Sequence, residues 1–115
     1  MKYIIVSNNE SLLKRVDYLH FVEGGFWDVL IEVRNLIHIG WRPLTHPLPA
    51  SLRMMLSPVR SVILADVSHD KSYEIIEQSM DLYQRTLGER QADFKNLTDY
   101  QRLDQELLMA ALADL

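Results

Sequence analysis

The stretch Glu23-Gly24-Gly25-Phe26-Trp27-Asp28-Val29-Leu30-Ile31-Glu32-Val33-Arg34-Asn35-Leu36-Ile37-His38-Ile39-Gly40, continued by Trp41-Arg42-Pro43-Leu44-Thr45-His46-Pro47-Leu48, decides the fold. Phe26, Leu30, Val33 and Ile37, with Val29, Leu36 and Ile39 beside them, follow the three-to-four spacing of a buried helical face. Asp28, Glu32, Asn35 and His38 make a narrower polar stripe, so this helix needs cover on more than one side: a sheet, and another element nearby. Gly40 stands where a helix C-terminus favours a left-handed residue. Gly24-Gly25 allows a sharp turn into the helix, and the free amides there, aided by the helix dipole, could receive an anion. Neither a GxGxxG fingerprint nor a Gly-Lys-Ser/Thr phosphate loop follows.

Upstream, Tyr3-Ile4-Ile5-Val6 is a short continuous apolar run, the pattern of a strand covered on both faces. Ser7-Asn8-Asn9 closes it, and Asn9 can cap a short helix from Glu10 to about Val16. Tyr18 to Val22 has the composition of a second strand, with His20 as a wall residue. Downstream, Trp41 to Thr45 reads as a third strand, placed at an edge because Pro43 cannot donate to a ladder. Pro47, Pro49 and Pro58 break the next segment, in which Leu52-Arg53-Met54-Met55-Leu56 forms one helical turn or a flap.

Ser61-Val62-Ile63-Leu64-Ala65 is a second buried strand. Asp66 to Asp70 leads into a helix that ends at Leu87 before Gly88. Residues 89–96 are polar enough for a linker. Thr98 and Gln101 then offer a capping box for a last helix to about Ala113, with apolar residues on more than one side. The alternation predicts a small three-layer α/β fold. Its sheet has about four strands and is mostly parallel, with helices on both faces and an extra C-terminal helix. An α/β domain would span residues 1–88, with residues 89–115 forming a linker and an amphipathic helix packed on the same domain or on a partner subunit.

A chain of 115 residues is one domain, long enough to bury a core without staples. Its net charge of −4 does not suggest a nucleic-acid surface. The absence of cysteine removes disulfides, thiolate catalysis and cysteine–zinc sites, and suits a cytoplasmic protein. No apolar run is long enough to span a membrane.

In open parallel sheets, ligands bind beyond the carboxyl ends of the strands. The proposed topology brings Asn8, Asn9, Glu23, Gly24, Gly25, Thr45 and His46 there, with Asp66 at the end of the last strand. Side-chain and backbone amides would hold a small anionic ligand, and His46 could donate to it or act as a general acid or base. Ser68-His69-Asp70 is a triad in letters only, since adjacency is not triad geometry. The four histidines show no metal-ligand spacing, and no cofactor motif is present.

Asn8-Asn9 after the first strand, Glu23-Gly24 before Asp28-Val29-Leu30, and Val33-Arg34-Asn35-Leu36-Ile37-His38 resemble the GrdX-like proteins. Thr45-His46-Pro47-Leu48 and Pro58-Val59-Arg60-Ser61 are similar to that family's pattern too, and the resemblance covers about residues 1–87. Pro43 and the apolar run Leu52 to Leu56 depart from it. The resemblance implies a cytoplasmic accessory protein associated with glycine, sarcosine and betaine reductase gene clusters. The expectation is a non-catalytic binding protein that recognises a small anionic metabolite or a reductase component, and forms a homodimer through the C-terminal helix. The alternatives are a small enzyme using His46 as acid or base on a carboxylate-bearing substrate, and a purely structural interaction module.

Overall fold

The computed structural model describes residues 2–66, 73–88 and 90–115. Four strands, β1 (Tyr3–Ser7), β2 (Leu19–Phe21), β3 (Trp41–Pro43) and β4 (Ser61–Asp66), form one sheet in the order β2-β1-β4-β3. Three helices, α1 (Phe26–His38), α2 (Tyr73–Leu87) and α3 (Leu97–Ala113), complete it, with short 3-10 turns at Glu10–Leu12, Leu52–Leu56 and Phe94–Asn96. The Ser68-His69-Asp70 sequence lies outside the described residues.

The sheet is mixed, which corrects the expectation of a mostly parallel one. β1 and β2 are parallel, but β4 runs antiparallel to both β1 and β3. The reason lies in residues 44–60. A parallel return must carry the chain back along the sheet, usually on a helix. This segment, interrupted by Pro47, Pro49 and Pro58, makes only one 3-10 turn. It stays at the end where β3 left it, so β4 begins there and runs back. Asp66 therefore lies at the opposite end, in register with Trp41.

Strand alternation divides the core in two. Ile4 and Val6 of β1 and Val62 and Leu64 of β4 meet α1 and α2, with Phe26, Val29, Leu30, Val33, Ile76 and Met80 buried between them. Ile5 and Ile63 point to the other face, where Leu12 and Leu108 cover them. The fold is thus three-layered, with α3 as the outer layer of the second face. Tyr83 of α2 stacks on Phe26 with ring centroids 4.6 Å apart.

Local expectations met competition at two places. The helix read from Glu10 to Val16 stops after one turn: Leu13 is already extended at ψ 127°, and Lys14 follows with a positive φ of 67°. The last helix starts at Leu97 as a continuation of the preceding 3-10 turn, without a side-chain cap from Asn96, whose amide instead donates to Asp93 at 2.8 Å. The segment before it is held by Asp93 N–H donating to Leu56 O at 2.7 Å. Among the described residues, no helix is long and apolar enough to cross a membrane.

Candidate functional site

β1, β2 and β3 point the same way, and β4 starts where they end. One edge of the sheet therefore gathers Asn8, Glu23, Thr45, Arg60 and Ser61. Period-two alternation places Ser7 and Ser61, which are directly paired in register, on the face covered by α3. From α3, Asp104 comes down onto this pair. Ser61 Oγ donates to Asp104 Oδ2 at 2.6 Å and lies 2.7 Å from Ser7 Oγ. Since Ser61 gives its one proton to the carboxylate, the Ser7 hydroxyl donates to Ser61, and Ser7 Oγ accepts from Asn9 N–H at 2.9 Å.

Asn9 completes this arrangement. Its Nδ2 donates to Asp104 Oδ2 at 3.0 Å and to Gln101 O at 2.9 Å, while its Oδ1 accepts from Ser11 N–H at 3.0 Å. Ser7, Asn9 and Asp104 are buried, with only 5% of Asp104 exposed. Both of these hydrogen bonds to Asp104 fall on Oδ2, and Oδ1 accepts from none of the described residues. No buried side-chain nitrogen or oxygen among the described residues lacks a partner, and Asp104 lines the adjoining cleft.

Asn8 is a clasp between loops. Its Nδ2 donates to Gly24 O and Pro58 O, both at 2.9 Å, and its Oδ1 accepts from Arg60 N–H at 2.9 Å. That contact fixes the start of β4, and with it the Arg60 side chain. The guanidinium donates from Nε to Pro47 O at 2.9 Å and from Nη2 to His46 O at 2.6 Å. Burial pulls its pKa below the usual arginine range, and the Asp104 carboxylate pulls it back up. Among the described residues, no carboxylate lies within ion-pair distance of Arg60. Two carbonyls thus hold a half-buried cation whose Nη1 donates to none of the described residues.

Arg60, Ser61 and Asp104 share a cleft of about 420 Å³ between the 45–54 loop and α3. Leu48, Met54, Leu103, Leu107 and Leu108 make its walls mostly apolar, and Thr45 stands at its margin. The volume falls toward the lower end of the range for small-molecule sites, about 300–1,000 Å³.

The residues singled out from sequence divide among several places. Thr45 lines the cleft, and its Oγ1 accepts from Ile63 N–H at 3.0 Å. Asn8 and Asn9 spend their amides on the loops and helix around the cleft. His46 gives its carbonyl to Arg60, but its ring turns to the other face, beside Ile75, Ser79 and Leu82. There Nδ1 lies 3.0 Å from Leu48 N and 3.2 Å from Leu48 O. At the start of α1, Gly25 N–H donates to Asp28 Oδ2 at 2.8 Å, so the helix's own carboxylate occupies that N-terminus. Gly24, at φ +127°, lies so close that an added Cβ would collide with the Asp28 carboxyl group. Glu23 is exposed beside them.

Sequence reasoning did not single out Arg60, Ser61 and Asp104, which the structure brings together at the cleft. A signal for Asp104 was present: it sits with Tyr100, Leu108 and Ala111 at helical spacing, a lone charge in an apolar stripe. Among the described residues, no cluster of three histidines or carboxylates could hold a metal ion.

The molecule is a small α/β/α layered protein with a polar-floored cleft between a loop and its outermost helix. The chain belongs to the GrdX-like protein family, whose model matches residues 4–113 and so extends through α3. No curated protein and no solved structure matches it.

Proposed function

We propose that this GrdX-like protein is a non-catalytic accessory protein that binds a small carboxylate-bearing metabolite in the cleft between the 45–54 loop and α3. The observation that carries the reading is Arg60. Burying a cation without a counterion is unfavourable, and an anion entering from solvent relieves it. The guanidinium is already oriented by Pro47 and His46 carbonyls, so binding orders little new structure. Apolar walls strengthen a charge-assisted hydrogen bond by excluding water around it. The link to glycine, sarcosine or betaine reductase systems that the family resemblance implies makes amino acids, methylated amines and short carboxylic acids the first compounds to test.

The role of His46 in this reading is structural. Its ring supports the turn that presents the 46 and 47 carbonyls to Arg60, which favours binding over acid–base catalysis there. Thermal-shift and calorimetric titration of the full chain against a panel of small carboxylates and amines tests the proposal. Carboxylates should raise the melting temperature, and amines without a carboxylate should not. Leu107→Trp, at a half-exposed position on the cleft wall, should block binding while leaving the fold intact. Carboxylates that bind the Leu107→Trp protein as tightly as the parent would place the site elsewhere.

A further inference from the structure

We infer that the ligand of this cleft is a zwitterion, an α-amino acid with an apolar side chain, held by its carboxylate at Arg60 and by its ammonium at Asp104 Oδ1. The inference rests on the preceding proposal that the cleft binds a carboxylate, and it names the class of molecule.

The argument starts from the two charges. Arg60 and Asp104 line the same cleft and influence each other electrostatically, yet they form no ion pair. Each is held away from the other by its own ties. Arg60 is tied to Pro47 O and His46 O, and Asp104 to Ser61 Oγ and Asn9 Nδ2 through Oδ2 alone. Among the described residues, what remains is complementary: donors on Nη1, and acceptor capacity on Oδ1. A plain carboxylate would satisfy the guanidinium but meet the Asp104 charge unscreened. A plain amine would have the converse problem. A molecule carrying both charges a few bonds apart satisfies both, and in an apolar surround each attraction and repulsion is strengthened.

The walls refine the class further. Leu48, Met54, Leu103, Leu107 and Leu108 surround the charged floor, so glycine would leave this apolar surface against water. An aliphatic or thioether side chain would cover it. The ammonium should carry protons. Among the described residues no aromatic lines the cleft, so they form no cage of the kind that recognises quaternary ammonium groups, and a trimethylated nitrogen has no hydrogen to give Oδ1.

Calorimetry on the full chain with matched probes tests this. The probes are L-leucine, isocaproate (the same skeleton without the ammonium), isoamylamine (without the carboxylate) and N-trimethyl-leucine. L-leucine should bind best, with each single deletion weakening binding by about tenfold or more, the worth of one charge-assisted hydrogen bond. Trimethylation should weaken it at least as much. Asp104→Asn should reduce the preference for L-leucine over isocaproate, with its melting curve confirming the fold. Leu107→Trp provides a second variant outside the polar network and should abolish leucine binding. Isocaproate binding as tightly as L-leucine, with Leu107→Trp blocking both, would overturn the zwitterion and leave the carboxylate site standing. Failure of isocaproate and L-leucine alike to bind would overturn both readings.

Discussion

Ser61 of β4 and Asp104 of α3 are joined by a 2.6 Å hydrogen bond between residues 43 positions apart in the chain. This bond, with Asn9 beside it, anchors the outer helix to the sheet. α3 contributes only Leu108 and Asp104 to the buried interior. A helix attached through so little apolar area depends on its polar anchor more than most. Asp104→Ala would leave Ser61 Oγ and Asn9 Nδ2 with a buried acceptor removed. A loss of about 3 kcal/mol is expected in urea unfolding. If α3 detaches before the rest, its helical signal should be lost ahead of tryptophan fluorescence.

Asn8 joins three segments with one amide. Asn8→Ala strands Gly24 O, Pro58 O and Arg60 N–H, and should destabilise the protein by about 2 kcal/mol. Asn8→Asp should cost more, since a carboxylate would face two carbonyl oxygens it cannot bond. Equilibrium unfolding of the two variants orders them. Both should also weaken carboxylate binding, because Asn8 positions the Arg60 backbone.

Gly24 combines a positive φ with a close approach to Asp28. Gly24→Ala should cost about 2 kcal/mol, part from the backbone conformation and part from the collision. In the Asp28→Ala background the collision disappears and the conformational part remains. A double-mutant cycle should therefore show Gly24→Ala less damaging there than in the parent.

Burial raises the pKa of Tyr83 above its ordinary 10. The neutral phenol is thus favoured in the folded state. Its contribution is fully present below the unfolded pKa and is lost as pH rises from there through the folded pKa. Urea midpoints should fall as pH climbs above about 10. Tyr83→Phe keeps the stack on Phe26 without an ionisable group, so its midpoint should fall less steeply over the same window. An equal slope in both proteins would show that other groups carry the alkaline sensitivity.

Leu108 is 4% exposed and lies both in the second core cluster and on the cleft wall. Leu108→Ala should destabilise by about 3 kcal/mol, as for other buried leucines. The same change deepens the cleft. Among apolar ligands that bind, affinity should shift toward bulkier side chains, which titration of the variant would read directly.

Much of the layer structure was legible in the chain itself. The spacing of Phe26, Leu30, Val33 and Ile37 determined α1 because only a helix puts those positions on one face. The uninterrupted apolar runs around Ile5 and Ile63 determined strands covered on both sides, and Pro43 determined an edge. These are local facts, set by backbone geometry and side-chain period within a few residues. Strand direction is different. It depended on how residues 44–60 return the chain, and a segment broken by Pro47, Pro49 and Pro58 reveals that it is not a helix without revealing where it leads.

The surroundings of the cleft were legible in part for the same reason. Asn8, Thr45 and the end of the sheet could be placed from topology, and Thr45 lines the cleft. The direction His46 points, and the meeting of Arg60 with Asp104, could not. Arg60 enters because β4 starts at the end where β3 stops, and Asp104 enters because α3 folds back onto the Ser7–Ser61 pair. Sequence determined which elements form and which faces they bury. Tertiary structure alone decided which polar groups meet, because hydrogen bonds between residues as distant as Asn9 and Asp104 depend on how whole elements dock and leave no local period to read.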